Sequence, residues 1–421
     1  MTMRVDSGVT TDRAGPAGRV GLLLWTLTLG AFLTTTSGAA RSPFLLDMAN
    51  DLNTDLTAVA NLMAIMAVTW GMASLVAGTA SDRFGRKVIL TGATVVVGVA
   101  MAGMGMAGTY PAAVFWGLAG GIGGGSFMGT VFATVSDHVA PTERGKSLGW
   151  VMTGQSLSLV LGVPLSTLIG AQIGWRGAHL VFAAVTVLVG LGMLLLVPRR
   201  GAYQATARES AAAAPLKTIM TPRILTLLLS GTAERVCFAA MSVYLATFLI
   251  TAYTVPLGSL AIALLLITTG NLLGNFVGAQ IADKVPSREV LYGASLIATG
   301  LVALPLLLWT PALAVSVGLG FVYTLANALG RPAYMSVVSA VPEAVRGTVL
   351  GLNVTFASFG WIAASAVGGW LVAGYGFGSL GMFCAGAAVF GVLVLGIGRA
   401  LAGRAVAASP SDDSVPAPAR S

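Results

Sequence analysis

Charge is scarce in this sequence: Asp, Glu, Lys and Arg together make up 9% of 421 residues, against 56% hydrophobic ones. That ratio excludes an ordinary water-facing globular surface over most of the chain. Cysteine is rarer still, with Cys237 and Cys384 both inside apolar runs, and there are only two histidines. With no CxxC and no Cys/His cluster at ligand spacing, neither a disulfide framework nor a metal centre is expected. The glycines at 117–125 are not followed by Gly-Lys-Ser/Thr, which excludes a phosphate loop and with it a pump driven by nucleotide hydrolysis. A membrane-embedded transferase is the remote alternative, because no soluble domain and no nucleophile or acid–base constellation is present. No cofactor is expected.

What the sequence has in quantity is apolar runs of membrane-crossing length. A bilayer core of about 30 Å needs about 20 residues of helix, with every backbone polar group paired inside its own segment. The runs predict spans at 20–46, 57–80, 88–108, 111–137, 146–171, 177–198, 223–252, 258–282, 289–309, 312–340, 347–374 and 379–401. The fold class expected is an all-α integral membrane protein of twelve transmembrane helices in two pseudo-symmetric six-helix bundles. The 55 glycines suit such bundles, where small residues let helix backbones approach. The segments divide into 1–19 (N-terminal), 20–198 (first bundle), 199–222 (linker), 223–402 (second bundle) and a disordered tail at 403–421.

All but four of the 23 Lys and Arg residues fall on the side of the two termini, which places both termini in the cytoplasm. The net charge of +8 thereby reflects topology, and no nucleic-acid partner is expected. Residues 20–34 before Ser37-Gly38-Ala39-Ala40 imitate a secretory signal, but cleavage would leave an odd number of spans. The four exceptional cations are Arg176, in an outer loop, and Arg41, Arg235 and Arg331, inside spans.

The halves repeat. Arg144-Gly145-x-x-Leu148-Gly149 recurs 202 residues later as Arg346-Gly347-x-x-Leu350-Gly351, each after a proline, and Asp82-Arg83 recurs as Asp283-Lys284 at an offset of 201. Internal repeats of this kind place a solute site near the bilayer midplane, between halves that rock against one another.

The segment GTASDRFGRKVIL between spans 2 and 3 resembles the major facilitator superfamily signature G-x-x-x-D-R-x-G-R-[RK]. Gly78, Asp82, Arg83, Gly85, Arg86 and Lys87 match it, and the layout extends the resemblance over about residues 19–402. The resemblance implies a secondary transporter, a monomer in a lipid bilayer, whose 2–3 loop is a conformational latch. In that latch Asp82 would pair with a motif arginine and face the start of span 11 near Gly347. Span 5, with Gly162 and Pro164, is similar to proton-coupled exporters of the arabinose and drug branch. Ser166, Thr167 and a span 4 without an intramembrane arginine depart from that pattern. Export of a small organic solute coupled to protons is the leading expectation, and import of an organic anion by symport or exchange is the alternative.

An ionisable group at mid-bilayer costs at least roughly 2.5–3.5 kcal/mol, so Glu234 and Arg235 in span 7, with Arg41 and Arg331, are the candidate solute and proton pathway. Glu234 is read either as a proton carrier or as half of a fixed salt bridge. Being adjacent on a helix, Glu234 and Arg235 point about 100° apart and need not pair with each other. Arg41 and Arg331 suit a carboxylate or phosphate, or else pair with Asp47 or Glu234. Asp137 and His138 read as solvated interface residues, and His179 as a weaker candidate. Trp70, Trp150, Trp361, Trp370, the Thr34–Thr36 run, Asn61, Asn271 and Asn275 serve either the cavity or helix packing.

Overall fold

The computed structural model describes residues 16–140, 142–198, 220–341 and 343–407, without side chains at 16–19, 343–347 and 402–407. Nearly all of the expected N-terminal segment, linker and tail, and the side chain of Arg346, lie outside the described residues.

Lipid offers the backbone no hydrogen-bond partner, so each apolar run closes its own ladder as a helix. Among the described residues, eleven helices are long and apolar enough to cross a bilayer. One of them, Arg144–Leu196, has 53 residues, far more than one crossing requires. It is broken at Ile173 (φ −126°, ψ 15°) and Gly174 (φ 73°, ψ 168°), so it crosses twice as spans 5 and 6. The remaining crossings follow the predicted spans closely: Leu56–Phe84, Arg86–Met106, Tyr110–His138, Pro222–Tyr253, Leu257–Ala282, Arg288–Leu308, Glu343–Tyr375 and Phe377–Ala407. Side-chain oxygens of Asp55, Thr109, Thr221 and Ser287 accept from the third following amide and cap the starts of spans 2, 4, 7 and 9.

Gly174 occupies a backbone region that only glycine enters readily. Gly174→Ala will therefore cost about 1–3 kcal/mol, read as a lowered unfolding temperature in detergent.

Two predicted spans are not continuous. Span 1 runs Pro16–Ala39, then turns through a 3-10 segment Ser42–Phe44 into a short helix Leu45–Asp51. Span 10 is Leu313–Leu329 followed by Arg331–Ser339. In each case a proline, Pro43 or Pro332, lies just after the break and removes an amide the ladder needs. Ser295 of span 9 mends the second break: its hydroxyl accepts from the Gly330 amide at 2.8 Å and donates to the Ala326 carbonyl.

Glycines close the seams inside each half. A Cβ on Gly121 or Gly125 of span 4 would overlap the Met66 or Trp70 carbonyl of span 2. In the second half the small residues sit on the other partner: Gly270, Gly274 and Gly278 of span 8 lie against the carbonyls of Phe321, Leu325 and Leu329 of span 10. Between halves, span 2 packs along span 11 and span 5 along span 8. At the end of the molecule remote from the 2–3 turn, Thr57 Oγ1 donates to the Gly369 carbonyl at 3.2 Å and the Ser42–Phe44 turn rests on span 7. Large apolar side chains such as Leu195, 87% exposed, form the outer surface, as a lipid-facing wall requires.

Candidate functional site

Glu234, near the middle of span 7, is 3% exposed and is gripped from two sides. Its Oε1 accepts from Arg331 Nη2 at 2.9 Å and its Oε2 from Arg235 Nε at 3.1 Å. The break in span 10 delivers Arg331 to this point, and Asn327, one turn earlier, sets its Oδ1 3.5 Å from the same Nη2. Both guanidiniums lie over the Phe238 ring, 4.7 Å away for Arg331 and 5.3 Å for Arg235. Trp361 of span 11 meets that ring edge-on at 5.9 Å. The expectation that Glu234 and Arg235 look to different neighbours is corrected. The long arginine side chain turns back along its own helix, so neighbours 100° apart still meet. The group carries two positive charges and one negative.

A layer of tyrosines surrounds the triad, and none was singled out from sequence. Tyr292 donates to the Ser230 carbonyl at 2.8 Å, Tyr323 to the Cys237 carbonyl at 2.8 Å, and Tyr334 to Asn353 Oδ1 at 2.6 Å. The one signal for them was Tyr334, three residues after Arg331 and so on the same helix face.

Arg41 is placed apart from this group. It is 3% exposed, inside the first bundle, and makes no ion pair with Asp47 or Glu234 among the described residues. His179 is 1% exposed, with Nδ1 donating to the Trp175 carbonyl at 2.8 Å. Arg176 lies 4.4 Å over the Trp175 ring and 3.4 Å from Asp51, which also accepts from Trp175 Nε1 at 2.9 Å.

In the 2–3 turn Gly85, at φ 94°, lets the chain reverse between spans 2 and 3. Arg86 then gathers the surrounding acceptors. Its guanidinium reaches Asp82, Ser81 Oγ, the Gly78 carbonyl at 3.2 Å and Asp137 of span 4 at 2.9 Å. Asp137 is 1% exposed, which corrects its reading as a solvated interface residue: Arg86 supplies the charge that lets it be buried. Arg83 is exposed over the Phe84 ring, and Lys87 is partly exposed. Gly347 lies on the second turn of span 11, and the expected contact between it and Asp82 falls outside the described side chains. Arg144 donates to the Ser136 carbonyl at 2.8 Å and closes the end of span 4, with Gly145 beside it in the first turn of span 5.

In the second half Arg288 does what Arg86 does in the first. It reaches Asp283 at 3.4 Å, the Ala282 carbonyl at 3.2 Å and Ser336 of span 10 at 2.5 Å. Arg288 was missed, although it stands 202 residues after Arg86, the same offset that links Arg144 to Arg346.

Span 5 carries a π turn at Ser158–Gly162 that ends two residues before Pro164. The wider turn accommodates a residue without an amide proton, and a Cβ on Gly162 would strike Thr36 of span 1. Thr34 and Thr36 bond carbonyls of their own helix at 2.8 and 2.7 Å, and Asn275 bonds Asn271 at 3.2 Å. Trp70 packs on Gly124, Trp150 meets Trp25 at a tilt of 49° with ring centroids 5.7 Å apart, and Trp370 is 59% exposed beside Tyr375. Both cysteines are free thiols.

Residues 27–364 match the family model described as the Major Facilitator Superfamily. The chain is 26% identical over 382 residues to the MFS-type transporter YwfA of Bacillus subtilis, covering 89% of this chain and 91% of that one. It is 24% identical to a chloramphenicol resistance protein of Streptomyces lividans, over 68% of this chain and 73% of that one. Among solved structures, an inward-facing, unoccupied bacterial homolog of the human lysosomal transporter Spinster superposes with a TM-score of 0.74 at 16% identity, covering 93% of this chain and 98% of that chain.

Proposed function

The chain belongs to the major facilitator superfamily, and from that premise we propose that it exports a small organic solute in exchange for protons, across a bacterial inner membrane with both termini in the cytoplasm. Membership makes it a multi-pass secondary transporter of a small molecule rather than an enzyme. Export is supported by the exporter-like Gly162 and Pro164 of span 5, and by a relative whose name is that of a chloramphenicol resistance protein.

The observation that carries the proton coupling is Glu234. Among the described residues it is the one carboxylate buried near the middle of a span, and both of its oxygens are engaged by cations from two helices. Protonating it weakens two charge-assisted hydrogen bonds together and frees spans 7 and 10 to shift. A proton on this carboxyl and a solute hydrogen-bonded to it exclude one another, which is the condition for exchange. Rocking of the halves then exposes Glu234 to each side in turn. Arg86 and its acceptors are the latch in this cycle.

The test is uptake into inside-out vesicles with an acid lumen, using chloramphenicol and a panel of neutral and carboxylated aromatic compounds. Accumulation of one of them in the wild type, reduced at least tenfold by Glu234→Gln, is the expected result. Accumulation that survives the substitution or ignores the pH gradient would overturn the role of Glu234.

A second reading rests on the excess positive charge of the triad. When Glu234 is protonated, Arg235 and Arg331 have no counter-ion and suit an organic anion, so proton and anion would travel together. Carboxylated compounds would then enter right-side-out vesicles with the proton gradient, while none accumulates in inverted ones.

A further inference from the structure

The break in span 10 leaves Arg331–Ser339 as a distinct helix of nine residues. Its joint with the rest of the span is Gly330. There the Ser295 hydroxyl stands between the Gly330 amide and the Ala326 carbonyl, where the helical ladder would otherwise close. A Cβ on Gly330 would overlap that hydroxyl, so glycine is what admits it. Pro332 then withholds an amide from the next turn. The short helix is thus tied to Leu313–Leu329 by fewer backbone bonds than a continuous span has, and its place is set by its side chains.

Two of those side chains, three residues apart and so on one face, hold it to different neighbours. Arg331 reaches span 7, where Nη2 donates to Glu234 Oε1 at 2.9 Å. Tyr334 reaches span 11, where its hydroxyl donates to Asn353 Oδ1 at 2.6 Å. The amide of the same Asn353 stands 3.9 Å from the Met335 sulfur, so span 11 grips two successive residues of the short helix. Tyr334 is 5% exposed; its ring meets Tyr292 of span 9 with centroids 4.9 Å apart, and a Cβ on Gly231 of span 7 would overlap its hydroxyl. A phenol enclosed in this way has no other orientation to adopt, so a movement of the short helix is passed to Asn353. Span 11 in turn lies against the first half, where a Cβ on Gly71 of span 2 would stand 2.9 Å from Ser358 Oγ.

We propose that Tyr334 is a positioning residue that couples the Glu234–Arg331 pair to span 11, and through span 11 to the packing of the two halves. The proposal rests on the reading of Glu234 as the proton carrier. While the carboxylate is charged, Arg331 holds the short helix against span 7. Protonation weakens that hold, the helix turns at Gly330, and the Tyr334 bond draws Asn353 and span 11 after it, loosening Ser358 from Gly71. The other titratable groups around the carboxylate are Arg235 and Cys237 of span 7, Tyr292 of span 9, and Arg331, Tyr323 and Tyr334 of span 10. Groups of these types ordinarily titrate on the alkaline side of neutrality, which leaves the carboxyl as the one that acid reaches.

The test needs no solute. Spin labels at Lys146→Cys, in the first turn of span 5, and Lys284→Cys, just after span 8, report the separation of the halves. Both positions are exposed, whereas the native thiols Cys237 and Cys384 are buried. Distances between the labels are measured by double electron–electron resonance on the full-length protein in lipid at about pH 5 and about pH 8. The labelled wild type is expected to redistribute between two separations, and Glu234→Gln is expected not to. Tyr334→Phe keeps the ring and removes the bond, and it is expected to lose at least half of the redistribution. Asn353→Leu breaks the same bond from span 11 and should show the same loss, with the double variant no worse than either single one. A hydroxyl that served stability alone would lower the unfolding temperature in both variants and leave the pH response whole, which overturns the proposal while the reading of Glu234 stands. An equal loss in Thr232→Val, which cuts the direct bond from span 7 to the Phe356 carbonyl of span 11, also overturns it by placing the coupling there. A response that persists in Glu234→Gln, or none in the wild type, overturns the reading of Glu234 and this proposal with it.

Discussion

Glu234→Ala will lower the stability of the protein by roughly 3–5 kcal/mol, one of the largest losses any single substitution in this chain should produce. The alanine removes the common acceptor of Arg235 and Arg331 and leaves two like charges side by side with no carboxylate between them. The cost arises from the abandoned partners rather than from the lost attraction. The triple replacement Glu234→Leu, Arg235→Met, Arg331→Met should therefore recover most of it, because it removes all three charges together. Unfolding curves in detergent for the wild type, the single and the triple variants measure both effects. A single variant within about 1 kcal/mol of the wild type would show that the arginines find other acceptors, and the argument for the triad would fail.

Arg86→Ala is expected to be comparably harmful, at about 3–5 kcal/mol, for a related reason at the membrane edge. Asp137 has a side chain only 2% exposed and depends on Arg86 for its ion pair. The same guanidinium holds Asp82, Ser81 and the Gly78 carbonyl, so one truncation unties spans 2, 3 and 4 together. Arg86→Lys should fall between the two, retaining the charge but not the fork that reaches several acceptors. Arg83→Ala is the control: its side chain lies on the surface over Phe84, and a change under about 1 kcal/mol is expected. Thermal unfolding of the three variants side by side separates these outcomes. Equal losses for Arg83→Ala and Arg86→Ala would mean that signature charge in general, and not the Asp137 contact, sets the stability of the turn.

The twelve crossings were legible because lipid enforces one rule on every segment, and a run such as Leu257–Ala282 obeys it without reference to its neighbours. The repeat was legible for the same kind of reason, since Arg144 and Arg346 keep their spacing in the chain. What stayed hidden depends on how helices are rotated and where they break. Pro332 was visible in sequence, but not that the break would carry Arg331 to the carboxylate that Arg235 also holds. Asp137 looked like a surface residue because it ends a span, and only the position of Arg86, fifty-one residues away, shows why it is buried. His179 drew little attention because a lone histidine in an apolar stretch has no periodic signature, and its bond to the Trp175 carbonyl one turn earlier shows only in the folded helix.

The ring of Phe238 has a consequence for any cycle in which Glu234 changes its proton. An aromatic face attracts cations through its quadrupole and does not titrate. Set beneath both Arg235 and Arg331, it goes on attracting them when the carboxyl is neutral, so the molecule never has to pass through a stage with two bare cations in oil. In that sense a residue with no charge of its own lowers the barrier between the two charge states of the site.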